Sequence, residues 1–212
     1  MIRNVLLIRV GMALFAAMLV VGLGCSVAAA RPETAIITLQ KGMDACDLAL
    51  VEKHLDIDAV VKKGSAQVLA DKEIAAEAAK HPALGLMFAL GGNAAGNEAL
   101  LSLLTAEARE YVEYGVQSGA FAGKEKAGHP PYQGLFSKAF RGKGKDKKSF
   151  GPVKILKQEK ETAVIATTLT EGAKKRTYPL QLRLERHNAA WRVTELVNVA
   201  DFIRQRKEKE GK

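Results

Sequence analysis

The residues of this chain that could do chemistry are few and widely spaced. Its four histidines are His54, His81, His129 and His187. They fall in capping, pre-proline or turn contexts, without the further ligands at regular spacing that a metal site needs. The serines form no Gly-x-Ser-x-Gly elbow. The sequence therefore predicts no catalytic residue, no metal site and no cofactor, although a cavity that paired His54 or His129 with a carboxylate would favour an enzyme.

Two further segments suggest ligand binding, and each has a simpler interpretation. Asp56 and Asp58 stand two residues apart, but the other oxygen ligands and the glycine turn of a calcium loop are missing. We therefore expect one of the two to cap the following helix. The glycine-rich run at residues 91–96 leads into Gly-Asn-Glu rather than Gly-Lys-Ser/Thr, so it predicts a connector and not a phosphate loop.

Residues 1–30 have the features of an export signal. Arg3 and Arg9 precede an uncharged run from residue 10 to residue 30 that ends in small residues, which is the pattern of a secretory signal. Cleavage after Ala30 and lipidation at Cys25 both fit, and so does an uncleaved anchor, because the run is long enough to span a bilayer. Each alternative places the rest of the chain in the periplasm or on the outer face of a bacterial membrane. The membrane is a partner if the segment is kept or lipidated.

A basic segment with interleaved aromatic residues lies between residues 118 and 150. Its densest cluster is Lys143, Lys145, Lys147 and Lys148. Such a segment can bind an anionic lipid surface or a cell-wall polymer, whereas nucleic acid is not expected as the partner of an exported protein. The alternative is a solvated loop that only connects the helices to the sheet.

Length and composition favour one folded domain after the export segment. The chain has 212 residues, with 32 Lys+Arg against 23 Asp+Glu and a formal net charge of +9. A chain of this length buries a sizeable core without disulfides, and two cysteines, Cys25 and Cys46, predict no disulfide framework. The aromatic content of 6% favours helices packed on a modest sheet. We expect residues 31–212 to form one domain.

The spacing of apolar residues divides this domain into a helical half and a sheet. Residues 31–117 show helical spacing, residues 118–150 are the basic loop, and residues 151–212 predict an antiparallel sheet with a closing C-terminal helix. The expected strands are 153–156, 163–169, 175–185 and 191–199. Helices followed by strands predict an α+β fold, with N-terminal helices packed on a curved four-stranded antiparallel sheet.

The clearest strand signal is a hairpin near the C-terminus. Apolar and polar residues alternate on both sides of a turn at residues 187–190, as expected for strands with one buried face. The inward set is Tyr178, Leu180, Leu182, Leu184, Trp191 and Val193. Because this face is almost wholly apolar, these residues are our candidates for the wall of a pocket that binds an apolar ligand. If no pocket is present, they form closed core.

Two resemblances rest on these segments. The run Trp-Arg-Val-Thr-Glu-Leu at residues 191–196 resembles the closing strands of the nuclear-transport-factor-two-like cone. In that fold a curved antiparallel sheet wraps around helices and often leaves a pocket. Residues 35–112 resemble the bacterial exported domain-of-unknown-function family number 2939, through Leu55-Asp56-Ile57, an alanine-rich helix and the helix from Leu100 to Glu107. The resemblances imply a cone-like sheet and bring no catalytic residues.

These observations predict an exported, non-enzymatic envelope protein that serves as an accessory or apolar-ligand-binding module. The sequence does not identify a protein partner. Two alternatives stay open. One is a protein that adheres to an anionic membrane surface through the basic loop, and the other is a small enzyme with the cone fold.

Overall fold

A computed structural model divides the chain into two compact units, residues 1–30 and 31–212. The structure describes residues 31–78, 94–125, 127–130, 132–134, 147–172 and 175–210. Residues 1–30 with Cys25 and Ala30, half of the glycine-rich run, and Lys143 and Lys145 lie outside the described residues. None of the helices within the described ranges is both long enough and apolar enough to cross a bilayer.

Helices come first in the second unit. They are α1 (Pro32–Ala45), α2 (Leu48–His54), α3 (Ile57–Ala70), α4 (Lys72–Ala78) and α5 (Ala94–Gln117), and α6 (Val199–Glu210) follows the sheet. Aspartate side chains cap the N-termini of the short helices α2 and α4. Asp47 Oδ1 accepts from the N–H of Leu50 at the start of α2, and Asp71 Oδ1 accepts from the N–H of Ile74 at the start of α4. Each cap satisfies a backbone donor that the first helical turn leaves unpaired.

Of the two aspartates that the sequence offers as caps, Asp56 is the one that caps α3. Its Oδ1 accepts from the N–H of Ala59 at 3.0 Å. Its own N–H donates to the carbonyl oxygen of Val193 at 2.9 Å, which ties the α2–α3 connection to the sheet. Glycine at position 42 lets α1 and α2 approach closely, because a Cβ there would lie 2.8 Å from Val51 Cγ2.

The sheet consists of β1 (Lys148–Phe150), β2 (Lys154–Gln158), β3 (Thr162–Glu171), β4 (Arg176–His187) and β5 (Ala190–Leu196), all paired antiparallel. β3 pairs with β4 along the full length of β3, so β1 and β2 share the other edge of β3. The sheet therefore has four strand positions, and it curls into a half-barrel. The predicted α+β fold with a cone-like antiparallel sheet is confirmed.

Two predicted boundaries were wrong. β1 falls at the end of the segment predicted as a loop, where the N–H of Lys148 also donates to the carbonyl oxygen of Phe121. β5 ends at Leu196 rather than Val199. The reason is Asn198, whose side chain accepts from the N–H of Gln181 at 2.8 Å and donates to the carbonyl oxygen of Pro179 at 3.0 Å. These side-chain bonds replace strand–strand backbone bonds at Asn198, and α6 begins at the next residue.

The hairpin predicted at residues 187–190 joins β4 and β5. Asn188 and Ala189 form its two-residue loop with φ of 45° and 66°, as in the type I′ turn that suits a twisted hairpin. The whole predicted inward set of this hairpin is buried. All of this set except Tyr178 forms one core cluster with residues of α1, α2 and α5, among them Ile36, Val51 and Val116.

Candidate functional site

An apolar cavity lies between the concave face of the sheet and the surrounding helices. It has two overlapping lobes that share most of their lining, including Val60, Val112, Leu196 and Phe202. The sheet lobe, of about 230 Å³, reaches down to the strands. The charged lobe, of about 500 Å³, reaches Lys148, Glu171 and Arg206. The volume of the charged lobe is typical of small-molecule sites, and that of the sheet lobe is smaller.

The predicted pocket residues separate into two groups. Leu180, Leu182 and Val193 line the sheet lobe. Tyr178, Leu184 and Trp191 line neither lobe. Leu184 and Trp191 are packed in the core, with 0% and 2% exposure, and the ring of Tyr178 lies against that of Phe202 with a centroid distance of 5.4 Å. The structure therefore brings three of the six candidates to the cavity wall and uses the other three as core.

The helical wall of the cavity was not identified from the sequence. Val60 of α3, Val112 of α5 and Phe202 of α6 all line both lobes, and each is only partly buried. Apolar spacing identifies the stripe on each helix but not what the stripe faces. A partly buried stripe beside a cavity and a fully buried stripe in a core have the same sequence pattern.

A buried ion pair stands at the far end of the charged lobe. Lys148 Nζ and Glu171 Oε1 are 2.7 Å apart, and their side chains are 10% and 8% exposed. The two residues are directly opposite in the register of β1 and β3, so the pairing follows from the strand ladder. Glu171 follows the inward positions Ala163, Ile165, Thr167 and Leu169 at a period of two. A carboxylate at the end of this mostly apolar series of inward positions is the feature of the sequence that could have revealed the ion pair.

Further groups surround this pair. Arg176 is the register partner of Glu171 on β4, and Arg206 of α6 lines the charged lobe. The hydroxyl of Tyr178 is buried without a hydrogen-bond partner among the described residues. Burial, and after it the Glu171 carboxylate, raises the pKa of Tyr178, while Arg206 and Arg176 act in the opposite direction. The end of an apolar face thus carries several charged groups within electrostatic reach of one another.

The predicted anionic-surface cluster is divided by the structure. Lys147 is exposed and lies 3.2 Å from Asp44 Oδ1. Lys148 is buried in β1, so it does not belong to the surface cluster in which the sequence placed it. Its partner Glu171 and its place in a strand ladder explain the burial. Lys143 and Lys145 lie outside the described residues.

The other candidate residues make structural contacts. His54 Nδ1 donates to the carbonyl oxygen of Trp191 at 2.9 Å, and the ring of His129 stands edge-on to Tyr114 at 5.6 Å. Neither contact is the carboxylate pairing that would favour an enzyme. Asp58 pairs with Arg109 at 2.6 Å. In the parts of the chain that the structure describes, no cluster of three His, Cys, Asp or Glu side chains could hold a metal ion.

Comparisons of this chain with models of protein families, with curated proteins and with solved structures found no match. Any ligand of the cavity must therefore be inferred from its lining.

Proposed function

We propose that this protein is an exported, non-catalytic binding module that holds one apolar ligand between its helices and its sheet. The observation that carries the proposal is the cavity, whose sheet lobe is lined by apolar residues throughout. Water finds few hydrogen-bond partners in such a space. An alkyl chain placed there gains about 0.8 kcal/mol for each buried methylene.

The titratable groups of the cavity favour binding over catalysis. In the two lobes they are Lys148, Glu171, Arg206 and the phenol of Tyr111. Glu171 is held in an ion pair at 2.7 Å, so its carboxylate is already engaged by Lys148. The lining thus supports a module that shields a ligand from water.

The pattern of residues 1–30 supports the exported part of this proposal. A protein that acts outside the cytoplasm meets membrane lipids and their breakdown products, which are apolar. The resemblance to a cone-like sheet points the same way, because such sheets often enclose a pocket. The intact mass of the mature protein tests export, since cleavage after Ala30, lipidation at Cys25 and an uncleaved segment give three different masses. A mature protein recovered from the cytoplasm with residues 1–30 intact would contradict it.

Binding is tested with the neutral fluorophore N-phenyl-1-naphthylamine, which brightens in apolar surroundings. We expect the protein to bind the probe in its cavity, and native mass spectrometry of detergent-free protein to find a co-purified lipid. Val112→Phe places a ring in the space shared by both lobes and should weaken probe binding about tenfold or more. Leu156→Phe is the matched control, because Leu156 is exposed on β2.

Two results would overturn the binding function. One is a protein that does not bind the probe. The other is a folded Val112→Phe variant that binds it as tightly as the Leu156→Phe control does. Because overpacking costs stability, the thermal unfolding of both variants is measured alongside, and Val60→Phe provides a second way to fill the same space.

A further inference from the structure

A short segment that follows α5 in the chain folds back against this helix beside the cavity. Its described residues are 127–130 and 132–134, and we call them the Tyr132 strap. Among them Tyr132 alone is buried, with 8% exposure, whereas Gly134 is half-buried and the other five are exposed. A segment with one buried side chain gives up few contacts when it leaves the surface. It can therefore open locally while the core stays folded.

Tyr132 holds the strap against α5. Its ring stands edge-on to Tyr111 at a centroid distance of 6.2 Å and lies 5.7 Å from the ring of Tyr114. Its hydroxyl donates to Glu107 Oε2 at 3.0 Å. The backbone of Gly134 passes directly over this hydroxyl, because a side chain at position 134 would collide with the Tyr132 and Glu107 oxygens. The phenol thus has a fitted position on α5, closed from outside by the strap itself.

Tyr132 contacts a wall of the cavity without belonging to the core. Tyr111 lines the charged lobe, and its ring lies 5.4 Å from that of Phe121, which lines both lobes. Tyr132 lines neither lobe and stands outside the core cluster. Three aromatic rings in contact therefore lead from the strap to the cavity, with Tyr132 at the outer end and Phe121 at the inner end.

We infer that the Tyr132 strap is a gate, and that the ligand enters and leaves when Tyr132 swings out and frees Tyr111 to turn away from the charged lobe. This inference rests on the binding function proposed above. A ligand can enter a cavity between packed layers only after side chains move, since protein interiors are close-packed. Segments that move in this way come from the least stable parts of a fold. Because Tyr132 lines neither lobe, the gate should control the rates of binding and release and not the affinity.

The test measures both rates with N-phenyl-1-naphthylamine and the full-length mature protein. Association is followed by stopped-flow fluorescence, and release is followed as the complex is diluted. Tyr132→Ala increases the open fraction and should raise both rate constants about tenfold or more. The dissociation constant, which is their ratio, should change less than about threefold.

Two further variants make the test specific to the anchor. Tyr132→Phe keeps the ring and loses the hydrogen bond to Glu107, so both rate constants should rise by about threefold. This variant carries the test if Tyr132→Ala does not fold, which thermal unfolding shows. Gln133→Ala is the control, because Gln133 is the exposed neighbour in the same strap. It should bind and release the probe at the rates of the parent protein.

The outcomes separate the gate from the cavity. If folded Tyr132 variants bind and release the probe at the parent rates, the strap is not on the ligand's route, and the binding function stands without it. If they release the probe faster but bind it no faster, Tyr132 supports the cavity wall and is not a gate. If Gln133→Ala changes the rates as much as Tyr132→Ala does, Tyr132 is not the anchor of a gate. If the parent protein does not bind the probe, the proposed function fails and the gate fails with it.

Discussion

The concave face of the sheet is packed differently at its two ends. At the closed end (Ala163, Leu184 and Trp191), the side chains are almost fully buried. The backbone of the α2–α3 connection bonds directly to β5 there, from the N–H of Asp56 to the carbonyl oxygen of Val193. A backbone hydrogen bond fixes the distance between a helical segment and the sheet. The neighbouring Leu184 and Trp191 line neither lobe of the cavity, whereas Val193 itself lines the sheet lobe.

The open end (Lys148, Leu169 and Glu171) has a different arrangement. Leu169 is only partly buried and lines both lobes of the cavity. α3, α5 and α6 contribute Val60, Val112 and Phe202 to the facing wall. The comparison teaches that one continuous apolar face can be closed core at one end and the wall of a cavity at the other. What decides between the two uses is how closely the helices are held to the strands.

The largest effect is expected from breaking the ion pair of the open end. Lys148→Met leaves the buried Glu171 carboxylate without its cation, and we expect the free energy of unfolding to fall by about 3–5 kcal/mol. The double variant Lys148→Met/Glu171→Met removes both charges. Its free energy of unfolding should lie within about 1 kcal/mol of that of the parent protein. Denaturant titration measures both. A double variant as unstable as the single one would mean that the pair is required for the fold.

A smaller effect should distinguish the packing of the two ends. Leu184→Ala creates a cavity in the closed end and should lower the free energy of unfolding by about 3 kcal/mol. Leu196→Ala, the same substitution at a partly buried residue that already faces the cavity, should cost about half as much, because fewer contacts are lost. Both values come from equilibrium unfolding in urea. Equal losses would contradict the distinction between a closed and an open end.

The cap that holds α3 at the closed end is expected to contribute about 1 kcal/mol to the free energy of unfolding. Asp56→Ala removes the cap that accepts from the N–H of Ala59, and helix caps are worth about that much. Asp58→Ala is the matched control two residues along. Asp58 is exposed and pairs with Arg109 at the surface. Asp58→Ala should therefore lower the free energy of unfolding by no more than about 0.5 kcal/mol. The ranking of the two variants by thermal unfolding checks the prediction, and the reverse ranking would contradict it.

The smallest effect is dependent on pH. The hydrogen bond from Lys63 at 2.7 Å lowers the pKa of Glu185 below its ordinary value of 4.5, although burial opposes the shift. A lowered pKa stabilises the folded state above pH 4.5. This stabilisation is lost as the pH falls through the pKa that Glu185 has in the folded state. Because both side chains are more than one-third exposed, Lys63→Met should cost no more than about 0.5 kcal/mol at neutral pH.

The control for the Lys63 prediction is its neighbour. Lys62→Met removes the same charge from an exposed position of α3 and should leave the pH dependence of unfolding unchanged. For Lys63→Met, the difference from the parent protein should disappear in acid. A difference that persisted well below pH 4.5 would show that packing of the Lys63 side chain, and not the charge on Glu185, carries the effect.

The sequence by itself determined the fold class, the hairpin and its buried face, and an aspartate cap at Asp56 or Asp58. Each of these depends on local chemistry. Side chains alternate across a strand with a period of two, and an aspartate before a helix satisfies free backbone N–H groups. Such patterns can be read from neighbouring residues without knowing what lies across the core.

The tertiary structure alone decided which residues of the buried face line a cavity. Leu182 and Leu184 have the same alternation and the same side chain, yet Leu182 lines the sheet lobe and Leu184 is closed core. The ion pair is a second case, because Lys148 stands in a basic run and became a buried residue only by pairing with Glu171 across β1 and β3. Both outcomes depend on the distance between segments far apart in the chain. Periodicity describes one segment at a time and carries no information on that distance.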